Sequence, residues 1–324
     1  MKQRAIALLL VLLAAPALGG PQPVPEQYAR NLRLPLQDRL CEAARALVRV
    51  QGDFHGTSAS WEWIAGSGQA APNTAGLVAV ALVQAPESCG GRDALRRFAA
   101  ARAAQHRAGD FLFDPDVEAL ALAARKLGWT EYATVARDAF ERRYGPATGE
   151  EIVGRLLMIR GASPIVGYDA ALAIRAALAV GERRRAIEIA DAALAAIPRW
   201  GERQADRQGA LTSARGALLE ALAMAGADRY QRAARDLIHH LVLGAGTDGS
   251  WSGHVTQSTA YAVRGLSRWP EPAALEAAER GRRWLRLTQL GDGTWSTFND
   301  WLPEPFVGDR IPGVTAETML ALYF

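Results

Sequence analysis

The chain has 324 residues, with 37 Lys or Arg against 34 Asp or Glu and a formal net charge of +3. Acidic residues are interleaved with the arginines throughout, which argues against a nucleic-acid partner, because that calls for a one-signed basic face. No segment reaches the run of about 20 apolar residues that a bilayer span needs, so no stable membrane anchor is expected.

At the N-terminus, Lys2 and Arg4 precede an apolar run from Ala5 to Ala15, then Pro16 and the small residues "ALGG" at 17 to 20. This is the layout of a secretory signal peptide. Residues 1–20 are therefore expected to be a cleaved signal and 21–324 a single domain, periplasmic or secreted. In an oxidising compartment Cys41 and Cys89 are expected to pair, and a bridge closing so long a loop contributes about 4 kcal/mol on the chain-entropy model. Two free buried thiols are the alternative.

Apolar residues recur at helical spacing, as at Leu211, Ala214, Leu218, Ala221 and Leu222, while alternating runs are scarce. Caps, Gly and Pro place helices near 36–50, 73–84, 91–105, 115–127, 130–143, 166–180, 182–197, 207–225, 228–242, 255–267, 273–289 and 314–324. Links after even-numbered helices are short, such as "GW" at 128–129 and "AGAD" at 225–228. Links after odd-numbered helices are mostly long. The alternation fits hairpins of helices closing into a ring, with tight turns at one end and extended loops at the other. The predicted fold is all-α, an (α/α)6 toroid of six helical hairpins.

Two stretches near the end of the chain match each other. "RGRRWLRLTQLGDGTW" at 280–295 resembles the QW repeat of squalene-hopene and oxidosqualene cyclases through Arg280-Gly281, Trp284-Leu285, Gln289, Gly293 and Trp295. "GTDGSW" at 246–251 is a degenerate copy in which Ala245 stands at the Gln position. The resemblance covers the last ninety residues or so, and implies the toroid shared by triterpene cyclases, the β-subunits of protein prenyltransferases and the complement thioester domain. It also implies that Gln289 and Trp295 form a clasp between helices, a buried amide needing such partners. Asp248 and Asp292 precede Gly in tight turns, where side-chain to backbone bonding is expected.

The chemistries of those families fit less well. The cyclases use Asp-x-Asp-Asp with the middle Asp as proton donor; "DPDV" at 114–117 supplies Asp114 and Asp116 but has Val117 in the last place. Asp116 remains a candidate acid if buried beside an apolar cavity, with an ordinary helix cap as the plainer role. No metal-ligand spacing and no thioester sequence occurs, so neither a metal nor another cofactor is expected.

In a toroid every long loop lies at one mouth, where inner-helix N-termini present free N–H groups. Six of the nine tryptophans fall in these loops. They are joined by His55, His106, Asp110, Tyr168, Asp206, Asp309 and Arg310. "SWEW" at 60–63 and "STFNDWLPEP" at 296–305 combine flat rings with carboxylates and an amide, a chemistry suited to a sugar face. The expected ligand-binding residues are Trp61, Trp63, Asn299 and Trp301; the candidate catalytic residues are Glu62, Asp116, His254, Asp300 and Glu304. Cleavage of a glycoside would need two carboxylates about 5 Å apart, or roughly 6.5 to 9.5 Å for inversion. The expected function is binding, with cleavage by hydrolysis or elimination as an extension, of a polysaccharide or cell-envelope glycan. The alternatives are a binding or assembly protein with an envelope protein partner, and a terpenoid or lipid enzyme of the cyclase kind.

Overall fold

The computed structural model describes residues 26–54, 57–199, 209–299 and 307–323. The expected signal segment therefore lies outside the described residues, as do His55, Trp200, Asp206, Asp300, Trp301 and Glu304. The described chain is predominantly helical: α1 (Glu26–Arg33), α2 (Leu36–Arg49), α3 (Pro72–Gln84), α4 (Arg92–Arg107), α5 (Asp114–Leu127), α6 (Glu131–Tyr144), α7 (Gly149–Arg160), α8 (Ile165–Ala179), α9 (Arg183–Ala196), α10 (Ala210–Leu243), α11 (Thr256–Leu266), α12 (Pro272–Leu287) and α13 (Pro312–Leu322). α10 contains a break at Gly226, whose φ of 156° and ψ of 92° leave the helical region, so its two halves correspond to two of the predicted helices. None of the described helices is long and apolar enough to cross a membrane.

Three elements were not predicted. α1 precedes the first predicted helix. α7 occupies a stretch read as loop, although its N-terminus carries a legible capping box: the Thr148 hydroxyl accepts from Glu151 N–H at 3.3 Å, and the Glu151 carboxylate accepts from Thr148 N–H at 2.8 Å. A short antiparallel hairpin, β1 (Gln51–Phe54) and β2 (Thr57–Trp61), interrupts the otherwise helical chain between α2 and α3.

Six helices pack in a sequence that returns to its start. α3 lies against α5, α5 against α8, α8 against α10, α10 against α11, α11 against α13, and α13 against α3. The first half of α10 supplies the contact with α11 through small residues: a Cβ added at Gly216 would sit 2.4 Å from the Tyr261 backbone. Their neighbours in the chain flank them, α4 against α3 and α6, α9 against α8, and α12 against α11. The flanked helices are rich in Ala and aliphatic residues and are buried along most of their length, as elements covered on both sides must be.

Four of them also meet through charges. Arg175 on α8 bonds Glu118 on α5 at 2.8 Å and Glu220 on α10 at 3.4 Å, and Glu220 is paired with Arg264 on α11 at 2.7 Å. All four side chains are buried. A buried charge is tolerated only when paired and hydrogen-bonded, so this network dictates which helices are neighbours.

The repeat motifs are clasps. Trp295 Nε1 donates to the Leu285 carbonyl at 2.7 Å while its backbone N–H reaches the Thr315 hydroxyl on α13 at 3.2 Å. Trp251 repeats the pattern, Nε1 to Leu241 at 2.7 Å and N–H to Thr259 on α11 at 3.0 Å. Gln289 Nε2 donates to Gly293 and, across the fold, to Arg39 on α2, at 2.8 and 3.0 Å. Asp248 and Asp292 accept from the backbone and hydroxyl two residues on, as turn residues do. Gly249 and Gly293 adopt φ of 93° and 90° and lie with their backbones against Arg280 on α12 and Glu42 on α2, where a Cβ would collide.

A third clasp is present that the sequence hides. Trp61 Nε1 donates to the Leu47 carbonyl at 2.8 Å, and Gln51 Nε2 donates to Ala59 at 3.4 Å and to Ala94 on α4 at 2.8 Å. In both this copy and the last, the carbonyl lies four residues before the Gln, and the residue two before the Trp has positive φ, here Ala59 at 48°. The β1–β2 hairpin is inserted between Gln and Trp, which lengthens their spacing beyond recognition. Trp61, expected at a ligand, is thus corrected to a clasp residue: its ring is 0% exposed and packs on Phe98, leaving no face for a ligand. Cys41 and Cys89 are joined by a disulfide linking α2 to the turn before α4.

Candidate functional site

Trp63 from the connection before α3, Val255 from that before α11, and Thr297, Phe298, Asp309 and Ile311 from that before α13 line a cavity of about 460 Å³ at the N-terminal ends of α3, α8, α11 and α13, within the usual range of about 300–1,000 Å³ for small-ligand sites. Trp63, Phe298 and Tyr168 give it aromatic walls; Asn73, Gln257, Thr297, Asp309 and Glu317 supply polar groups. Trp63 is 49% and Phe298 37% exposed.

Each wall is held from behind. Glu62 receives the N–H groups of Gly66 and Gly68 at 2.6 Å each, closing the turn that follows Trp63, and Ala65 N–H bonds the Arg310 carbonyl at 2.9 Å. Glu62 is a buried carboxylate spent on loop geometry. Phe298 sits on an irregular ladder in which Ser296 faces Arg310 and Asn299 faces Val307, and Thr256 N–H bonds the Thr297 carbonyl at 2.9 Å. Asn299 anchors that ladder: it is buried, accepts from Tyr28 at 2.9 Å and donates to the Thr288 carbonyl at 3.3 Å. Residues 300–306, with Asp300, Trp301 and Glu304, join the two sides of this ladder and lie outside the described residues.

The floor is a hydrogen-bonded group of four side chains. Glu317 on α13 accepts from Tyr261 at 2.8 Å, from Tyr168 at 3.3 Å, and from Gln257 Nε2 at 3.1 and 3.0 Å on its two oxygens. Tyr261 meets Tyr168 at 3.0 Å, with the rings edge to face. Burial pushes the Glu317 carboxyl above the ordinary carboxylate range, against the lowering effect of its donors and of Arg264. The same burial and the neighbouring carboxylate push both tyrosines up, so these phenols act as donors.

The remaining candidates fall elsewhere. His254, at φ 69°, directs Nε2 to Asp248 at 3.1 Å and belongs to the second clasp's turn. Asp116 sits in the first turn of α5, where its carboxylate accepts from Phe113 N–H at 3.1 Å and lies 3.6 Å from Arg102. Beside it, Asp114 accepts from Tyr144 and pairs with Arg143 at 3.2 Å. Burial raises both carboxyls to about 6 in spite of these partners. Neither lines the cavity.

Sequence reading named Trp63, Tyr168 and Asp309 among the loop residues and included Phe298 in the stretch 296–305, but missed Glu317, Gln257 and Tyr261. A signal existed. Glu118, Arg175, Glu220, Arg264 and Glu317 are charges set among small and apolar residues of five buried helices. Among the described residues no group of three His, Cys, Asp or Glu side chains is placed to hold a metal ion. In comparisons with known proteins, the chain matches no family model and no curated protein.

Proposed function

We propose that the chain is an exported (α/α)6 toroid whose loop-side mouth binds a polysaccharide or cell-envelope glycan. The toroid reading is supported by the six helices that pack in closed order and by clasps of the cyclase kind at three outer-to-inner junctions. The single observation that carries the functional reading is the cavity itself: rings of Trp63, Phe298 and Tyr168 beside hydroxyls, amides and carboxylates, the combination that covers C–H faces of a pyranose while bonding its hydroxyls. A terpenoid role is disfavoured because α5, α8, α10 and α11 face one another through a buried ion network, Arg175 with Glu118 and Glu220 and Glu220 with Arg264, rather than through apolar side chains alone. Binding is preferred to cleavage because the Glu317 oxygens are already engaged by Gln257 and two tyrosines.

The test is Trp63→Ala, which removes a half-exposed ring and should leave the melting temperature almost unchanged. Affinity for the oligosaccharide that binds best in a panel should fall about tenfold, the scale of one lost ring contact. Tryptophan fluorescence reads the binding directly. A response to an isoprenoid or long-chain lipid, with none to any glycan, would shift the reading to the cyclase-like alternative; silence to both would leave an assembly role with an envelope protein.

A further inference from the structure

We propose that the mouth cavity selects glycans bearing free amino groups, recognising the ammonium of an N-unsubstituted amino sugar between Asp309, Glu317 and the aromatic walls. The inference rests on the glycan reading above and deepens it.

The charge count of the cavity is one-sided. Two carboxylates line it, and no Lys, Arg or His does. Neighbouring cations are committed elsewhere: Arg310 to Asp292 at 3.2 Å, His254 to Asp248 at 3.1 Å, Arg160 to Asp169 at 2.9 Å and Arg264 to Glu220 at 2.7 Å. Among the described residues neither Asp309 nor Glu317 has an ion-pair partner. An anionic ligand such as a uronate or a phosphate would meet the Asp309 and Glu317 carboxyls with no cation in the cavity lining to offset its charge. A cation meets the reverse.

The other groups agree. Oε2 of Glu317 takes one donor, from Gln257, while an ionised carboxylate oxygen has room for two. Trp63, Phe298 and Tyr168 present π-faces or edges at the same cavity, and an ammonium against an aromatic face gains electrostatic attraction that increases with desolvation. Burial disfavours ionised Glu317 while the cavity is empty; a bound ammonium supplies the missing counter-charge. An N-acetylated sugar offers no charge and brings a bulkier group.

The experiment compares fully de-N-acetylated chito-oligosaccharide with the N-acetylated oligomer of equal length, and with oligogalacturonate, by calorimetry on the full chain in buffer of at least physiological salt, so that diffuse attraction is screened. The expected result is a preference of about tenfold or more for the amino form over the acetylated one, with oligogalacturonate weakest. Asp309→Asn, at an exposed position, and Glu317→Gln should each bring the ratio of the two affinities towards one; the first keeps the test sound if the second does not fold. Equal or tighter binding of the acetylated form, or a preference that survives Asp309→Asn combined with Glu317→Gln, overturns the inference and leaves the glycan reading standing. Failure of all three ligands, together with silence across the wider panel, overturns both.

Discussion

Two arcs of the molecule are held together by different chemistry. Around α11, α12, α13, α2 and α3 the junctions are clasps, in which a buried indole bonds a carbonyl and, at Gly249 and Gly293, a turn residue of positive φ lets a neighbouring helix approach. Around α5 the described junctions with α4, α6 and α8 include buried ion pairs, Arg102 with Asp116, Arg143 with Asp114 and Arg175 with Glu118, and the last is continued through Glu220 to Arg264 on α11. The indole and amide bonds of a clasp join neutral groups, so those bonds do not titrate, although the clasp turns also carry Asp248 and Asp292. An ion pair must overcome desolvation, and its worth depends on both partners and on protonation. The clasped arc therefore serves as a rigid frame, and it is the arc that carries most of the cavity lining; the ion-paired arc is the conditional part of the structure.

The most severe way to break this contrast is to remove Arg175. Arg175→Met leaves Glu118 and part of Glu220 buried without their cation, and should cost about 3–5 kcal/mol in chemical denaturation. Adding Glu118→Gln should restore part of the loss. A neutral single substitution would mean that the network does not hold the arc.

Acidity separates the arcs next. Folding raises the carboxyls of Asp114 and Asp116 to about 6. A carboxyl raised by folding favours the folded state while protonated. Its contribution is complete below the ordinary carboxylate value, near 4, and is lost as pH rises through about 6. Between pH 4 and pH 7 these two groups should withdraw stability on the order of 2 kcal/mol each. Hydrogen exchange should show α5 and α6 opening more readily at pH 7.5 than at pH 5, with the clasp segments unchanged. Equal pH response in both arcs would remove the distinction.

The clasps give the smallest effects. Gln289→Ala leaves the Arg39 and Gly293 carbonyls without their donor and should cost about 1–3 kcal/mol, while Gln51→Ala, part-buried and with one long bond, should cost about 1 kcal/mol. Neither should alter glycan affinity; a loss of binding at unchanged stability would make the motif a site.

Sequence legibility follows the same division. The clasp at 289–295 is local: Trp295 bonds a carbonyl ten residues away, so indole, glycine and acceptor helix appear in one short window. The clasp at 51–61 has the same bonds but carries a hairpin insertion, and periodicity could not reveal it. In the ion network, Glu118 and Arg175 are 57 residues apart, and each is simply one charge in an apolar helix until the helices are placed together. The same holds for Glu317, whose partners Tyr168 and Gln257 arrive from α8 and α11. Most helix positions depend on local spacing and caps and were legible, α1 and α7 being the exceptions. The floor of the cavity depends on which helices become neighbours, and was not.

The last clasp has a temporal consequence. Gln289 reaches Arg39 on α2, and Asn31 on α1 donates to the carbonyls of Leu287 and Gln289, contacts separated by 250 to 258 residues. No other part of the chain can stand in for this seam, and it cannot form until α12 has been synthesised. Before that moment α3 lacks α13 and presents an apolar flank to its surroundings. Contacts of such separation are slow to find, and the waiting intermediate is the species most prone to aggregate. Slow, late closure, rather than any one weak helix, is the stage at which aggregation competes most with folding.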